Sequence, residues 1–236
     1  VTTFALTTSG QFSLGPRLGV NFSVISGKWD EFDEPDYKWI TGPVIGIAGK
    51  YSFSDLFSVR GEISYITMGD KVEYSYEEGF KMQSMKHIFK EKYHCIQFAL
   101  LAQALFGGSN LYFTTYAGPF LTYKGGGEAE VSDNGTTETG KIKWETPPNW
   151  SYFEDGYYYV DPEYNRRMDI GLYLGAGAGK EIGPGNLELN LRLGLGLVDL
   201  NKFENKDDKQ AAKDNGYEPY TSTNISISLL YWFPLD

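Results

Sequence analysis

Ser84, His87 and Glu91 lie close together in "SMKHIFKE", and they are the residue types from which a nucleophile, a base and an orienting acid are built. Held within hydrogen-bonding reach of one another, such a set performs acyl transfer. His87 and His94 are the only histidines in the chain, so any imidazole base is one of the two. Serine, histidine and acid also co-occur by chance in polar segments, and the lysines around this set mark a solvated surface; neither a catalytic residue nor an enzymatic activity is expected. "WDEFDEPD" (29–36) and "DNG" (133–135) carry oxygen ligands suited to hard cations, without the spacing of an EF-hand loop. No metal site and no cofactor are expected. Cys95 is the single cysteine, which excludes an internal disulfide, and no basic cluster around it favours a thiolate.

A fourth group has a different character. Arg60 and Glu62 are separated by one residue, and Glu188 and Arg192 by three, so on extended chain each pair shares one face. Facing each other across a narrow lumen, these charges neutralise one another as a structural network. The elements that would hold them are visible in "NLELNLRLGLGLV" (186–198), where Leu187, Leu189, Leu191, Leu193, Leu195 and Leu197 alternate with Glu188, Asn190, Arg192, Gly194 and Gly196. The last strand repeats the pattern, with Ile225, Ile227, Leu229, Tyr231 and Phe233 against Asn224, Ser226, Ser228 and Trp232. In the first, Leu18, Val20, Phe22 and Val24 oppose Arg17, Gly19, Asn21 and Ser23. A soluble barrel puts its apolar set inside. Charge on the inner face implies that the leucine and isoleucine face meets lipid.

Composition alone misleads here. A mean hydropathy of -0.37 and a net charge of -10 resemble a soluble acidic protein, but a membrane barrel dilutes its apolar residues by alternation. No run approaches the roughly 18 to 20 apolar residues of a spanning helix. The 28 glycines and 38 aromatic residues (18 Tyr, 15 Phe, 5 Trp) instead favour strands and tight turns. "VTTFALTTSG" shows no leader pattern, which is compatible with a leader removed ahead of it.

Period-two alternation and turn punctuation predict eight strands, at 13–24, 42–53, 57–68, 93–106, 111–123, 169–182, 187–200 and 220–233. Each is long enough for a tilted bilayer crossing. "SDL" (54–56), "GGSN" (107–110) and "GPGN" (183–186) are tight turns, and they alternate with polar loops at 25–41, 69–92, 124–168 and 201–219. The expected fold is all-β: one domain over 1–236, an eight-stranded antiparallel up-and-down transmembrane β-barrel with short periplasmic turns, long extracellular loops and both termini on the turn side. Tyr51, Phe53, Phe57, Phe106, Tyr112, Tyr231 and Phe233 are expected in the turn-side aromatic girdle, and Tyr65, Tyr93 and Tyr123 on the loop side. "GKW" (27–29) resembles the Gly-x-Trp of lipocalins, but it follows a complete strand and enters an acidic loop, and the strand polarity is inverted for a soluble calyx.

Several segments resemble the PorT-like outer-membrane β-barrel proteins of Bacteroidota: "GPRLGVNFS" (15–23), "GKYSFSDLFSVRGEISYITMG" (49–69), "YAGPFL" (116–121), "DIGLYLGAGAGKEI" (169–182) and "LELNLRLGLGL" (187–197). The likeness covers most of the chain. "CIQFALLAQAL" (95–105) departs from it in lacking the family's proline and lysine, and "YWFPLD" runs past the usual terminal aromatic. The resemblance implies an eight-stranded barrel in the bacterial outer membrane; some relatives support type IX protein secretion.

An eight-stranded interior is filled by side chains, so diffusion through it is not expected. Function then falls to the loops. Residues 125–167 hold Trp144, Trp150, Tyr152, Phe153, Tyr157, Tyr158, Tyr159 and Tyr164, either as a contact surface or as a self-packed cap. The acidic charge makes nucleic acid an unsuitable partner. Outer-membrane lipid and other outer-membrane proteins are the expected partners, in a larger complex for which secretion is the candidate role; the rivals are a stand-alone surface binder or adhesin and, from another class, a small barrel hydrolase.

Overall fold

The computed structural model describes residues 11–28, 35–78, 83–108, 111–133, 135–148 and 152–235, with the backbone alone at 74–78 and 83–86. The described chain forms β1 (Gln11–Lys28), β2 (Asp36–Lys38), β3 (Ile40–Ser52), β4 (Phe57–Glu78), β5 (Gln83–Gly107), β6 (Tyr112–Asp133), β7 (Thr136–Lys143), β8 (Phe153–Glu154), β9 (Tyr157–Tyr159), β10 (Met168–Ile182), β11 (Gly185–Gly196), α1 (Lys206–Asp214) and β12 (Glu218–Leu235). All the strands belong to one sheet, twelve where eight were expected. The long strands β1, β3, β4, β5, β6, β10, β11 and β12 pair antiparallel in that order. β12 also pairs with β1, so the ladder returns to its start. The four extra strands are short and lie in segments expected to be loops.

That difference is the main correction. The loops expected at 69–92 and 124–168 are largely strand, because β4 runs on to Glu78, β5 starts at Gln83 and β6 reaches Asp133. The alternation persists there but changes chemistry. Outward positions turn from Val59 and Ile63 to Lys71 and Glu73, which pair at 2.6 Å, and to Lys90, which pairs with Glu130 at 3.5 Å. Charged outer faces read as loop in a hydropathy pattern, although backbone pairing continues without regard to them. β7 adds to the β6 extension, and β9 pairs parallel to β7. The 201–219 segment contains α1, whose Asn205 side chain accepts from the amides of Asp207 and Asp208 at 2.9 Å each. This N-cap satisfies two otherwise unpaired amides of the first turn.

The sidedness of the long strands follows the alternation. Leu189, Leu191, Leu193, Leu195, Leu197, Ile225, Ile227 and Leu229 are all exposed on the outer face, and Leu187 is half-buried. Leu18, Ile45, Ile47, Ile63, Phe98, Leu100, Leu172 and Leu174 continue the same apolar surface around the sheet. Of the expected girdle, Tyr51, Phe53, Phe57, Phe106, Tyr123 and Phe233 are exposed, and Tyr65 and Tyr231 are half-buried. Tyr112 and Tyr93 are corrections: both are buried and point inward. Tyr112 shares the inner parity of β6 with Tyr116 and Phe120, and register sets these three rings against Gly179, Gly175 and Gly171 of β10. A Cβ at any of these glycines would lie 2.4 Å from the facing ring. The glycines of "GLYLGAGAG" are therefore the space that the β6 aromatics occupy.

Candidate functional site

Two sites lie inside the sheet, one along its apolar length and one at its loop end. The first brings together Arg60, Glu62, Glu188 and Arg192. Arg192 grips Glu62 with both terminal nitrogens at 2.8 Å. Arg60 contacts Glu62 through Nε and Glu188 through Nη1 at 3.2 Å, and also donates to Asn190 Oδ1 at 3.1 Å. Each of the four is at most 5 % exposed, so all are effectively removed from water. Charge-assisted, bidentate bonds of this kind are what make such burial tolerable.

The network is larger than its sequence signature. Arg17 of β1 donates to Glu62 at 3.1 Å, to Ser64 at 3.3 Å, to Ser228 at 3.1 Å and to Ser226 at 3.2 Å. Lys50 is also buried, with its ammonium 4.7 Å from the Trp232 ring centre. Four cations thus face two carboxylates, and ring faces supply the remaining stabilisation: Arg60 lies over Tyr116 and Trp232, Arg192 over Tyr116 and Tyr173. Trp232 Nε1 donates to Glu188 at 3.1 Å, and Tyr173 donates to Gln97 at 2.6 Å. Arg17 was legible as an inward residue from the alternation in β1. Its partners were not, because they sit on strands far away in sequence.

The loop end has its own core. Trp144 and Val160 pack with Tyr93, Ile142, Leu200 and Ile25, and Phe153 and Tyr158 close over them. Trp144 and Tyr159 are buried, whereas Tyr152, Tyr157 and Tyr164 remain exposed. Trp150 lies outside the described residues. Among the described residues, Trp144, Phe153, Tyr158 and Tyr159 therefore form a self-packed cap, and Tyr152, Tyr157 and Tyr164 are left on its surface.

Beneath this cap is a cavity of about 230 Å³, lined by Asp70, Glu91, Tyr93, Lys124, Asn165 and Asn201, with Ile25, Val72, Phe89 and Leu200 as apolar walls. Asp70 and Glu91 are directly opposed in the β4–β5 register. Both lie beyond the apolar belt, which ends at Tyr65, Ile96 and Tyr123 on these strands. Burial, reinforced by the facing Glu91, pushes Asp70 well above the usual carboxylate range, and Lys124 opposes this only in part. Burial also raises Glu91, but the Tyr93 hydroxyl, donating at 2.7 Å, and Tyr158 offset it.

The acyl-transfer set is not assembled. His87 bonds Asp133, His94 stacks on Tyr65 and bonds its hydroxyl at 2.5 Å, and Glu91 points into the cavity. On an extended strand His87 and Glu91 are about 13 Å apart. The Ser84 side chain lies outside the described residues, as do Trp29, Asp30, Glu31, Phe32, Asp33, Glu34 and Asn134 from the motifs considered above. Asp36 instead pairs with Lys38. Among the described residues no cluster of three His, Cys, Asp or Glu side chains offers a metal site. Cys95 is buried on the inner face.

Sequence reasoning missed one residue that organises the loop end. Asp199 accepts from Lys209 at 2.6 Å, from the Tyr217 hydroxyl at 2.7 Å and from the amides of Asn201 and Tyr220 at 3.3 Å each. It ties α1 to the sheet. Asp199→Ala is expected to lose about 1.5 to 3 kcal/mol of local stability. Trypsin cleavage at Lys206, Lys209 and Lys213 should then run roughly ten-fold faster, with the long strands intact; an unchanged cleavage rate would show that α1 is held elsewhere.

Comparison with known proteins agrees with this architecture. No curated protein sequence matches the chain. Among solved structures, OprG from Pseudomonas aeruginosa aligns at 11 % identity over 97 % of each chain, with a TM-score of 0.46. Ail of Yersinia pestis aligns at 12 % identity over 94 % of this chain and 98 % of its own, with a TM-score of 0.37. Neisserial surface protein A aligns at 12 % identity over 93 % and 95 %, with a TM-score of 0.38. These likenesses are weak. The model of a family described as outer membrane protein beta-barrel domain matches residues 4–203, most of the chain. A wall of outward leucine and isoleucine around a charged interior is the arrangement such a family requires, and the protein is an outer-membrane β-barrel protein that belongs to it.

Proposed function

We propose that the protein is an eight-stranded up-and-down transmembrane barrel that conducts nothing and serves as an accessory subunit of a larger outer-membrane assembly. Its short turns and both termini face the periplasm, and its strand extensions and cap stand outside the cell. The filled interior carries this reading. Arg17, Arg60, Arg192, Glu62, Glu188, Tyr116 and Trp232 interlock across it and stand in the way of a solute path, so the work falls to outer surfaces. The exposed Tyr152, Tyr157 and Tyr164 on the cap are the residue type that anchors protein contacts. Lipid holds the scaffold through Leu187 to Leu197, Ile225, Ile227 and Leu229. The sequence resemblance to PorT-like proteins supports an assembly connected with secretion.

The test combines conductance with co-purification. In planar bilayers the protein is expected to give no steady unitary conductance; open channels would overturn the non-conducting part. Solubilised in mild detergent from its own membranes, it is expected to carry stoichiometric partner chains. A Tyr152→Ser, Tyr157→Ser, Tyr164→Ser triple variant should lose them with its heat-modifiable gel mobility unchanged. A wild-type barrel that purifies alone would leave the stand-alone binder in its place.

A further inference from the structure

The loop-end cavity carries two opposite charges with no partner of their own. Asp70 is 7 % exposed and Lys124 is 4 % exposed, and both line the cavity. Among the described residues neither makes a hydrogen bond or an ion pair through its charged group, to the other or to a third residue. Lys124 has two ring faces near its ammonium, Tyr93 at 5.1 Å and Trp144 at 5.5 Å, and the carboxylates of Glu91, Asp169 and Asp70 act on it through space without forming an ion pair. A buried carboxyl and a buried ammonium that face one space without meeting are costly as they stand. The lumen network lower down shows the contrast, since there every carboxylate is gripped directly by arginine. Size narrows the occupant: 230 Å³ lies below the roughly 300 to 1,000 Å³ of pockets for drug-sized ligands.

The geometry points to a binding site for a small amino-acid-like zwitterion, its ammonium against Asp70 and Glu91, its carboxylate against the Lys124 ammonium, and its apolar body against Val72, Phe89 and Leu200. A ligand with both charges relieves both unpartnered groups at once. An amine alone leaves Lys124 unpaired, and a carboxylate alone adds a third negative charge beside Asp70 and Glu91. Discrimination by unpaired buried groups is stronger than discrimination by size. Tyr93 already donates to Glu91, which fixes that carboxylate toward the cavity floor. The site does not rest on the partner reading above, and each can fail without the other.

Full-length protein in phosphatidylcholine nanodiscs, titrated calorimetrically with L-leucine, isopentylamine and 4-methylpentanoate, tests this directly. These probes share one apolar body and differ only in charge. L-leucine is expected to saturate one site, and each single-charge analogue to bind at least about ten-fold more weakly. Asp70→Asn and Lys124→Met should each weaken L-leucine by a similar factor with unchanged heat-modifiable mobility. No saturation by L-leucine in the millimolar range, equal binding of all three probes, or full L-leucine affinity in both variants would overturn the proposal. Should either variant misfold, the three-probe comparison on the unaltered protein decides.

Discussion

Glu62→Ala is expected to prevent the barrel from reaching its heat-modifiable folded form, or to lower its unfolding midpoint in urea by the largest margin of any single substitution. Glu62 accepts from Arg17 and Arg192 and contacts Arg60, with all four side chains buried. Removing one partner of a buried pair costs about 3 to 5 kcal/mol, because the remaining charge has neither water nor a counter-ion. Here one deletion takes the carboxylate from Arg17 and Arg192 and leaves Arg60 with Glu188 alone. Ring faces compensate some of this for Arg60 and Arg192, but Arg17 is not among the cations over an aromatic ring. Adding Arg17→Met to Glu62→Ala should therefore recover part of the loss. A Glu62→Ala protein that folds with wild-type urea resistance would show that the network is incidental, and the argument for a sealed interior would fall with it.

Leu191→Arg is expected to destabilise the protein in lipid by about 2 to 4 kcal/mol, the range for arginine near the bilayer midplane of a membrane barrel. Leu191 is 56 % exposed and sits mid-strand between Asn190 and Arg192, both fully inward. The substitution places a second arginine beside an existing one, with the opposite outcome. Arg192 has Glu62 and two rings, whereas position 191 stands on the exposed apolar face beside Ile227. Urea unfolding in phospholipid vesicles reads the difference, and Glu218→Arg, an exposed change at the loop-side end of β12, should shift it little. A cost near zero for Leu191→Arg would mean that this face is solvated or covered by protein, and the membrane orientation of the strands would have to be redrawn.

The strands spanning the apolar belt were readable because side-chain direction alternates locally. Leu189 faces out and Glu188 faces in for reasons contained within β11, and the same rule held for β1, β10 and β12. The extensions of β4, β5 and β6 were misread as loops for a related reason. Their outer residues, Lys71, Glu73, Lys90 and Glu130, are charged, and in a hydropathy pattern such a change of chemistry reads as the end of a strand. α1 left a signal that went unused, an Asn205 cap followed by Asp207 and Asp208 and closed by Gly216.

The alternation, the crossing length of the strands and the inward direction of the charges can be read from the chain alone, since each is a property of a few consecutive residues. What those charges meet is set by the folded ring. Glu62 and Arg192 stand 130 positions apart on strands that are not ladder neighbours. The stagger of the whole ring sets them side by side. The same holds for Tyr112, assigned to the girdle by its place near a strand end but turned inward over Gly179. It holds again for Asp70 and Lys124, brought to one cavity from β4 and β6 without touching. Direction is local chemistry, whereas partnership depends on ring closure and register, and no short window of the chain contains either.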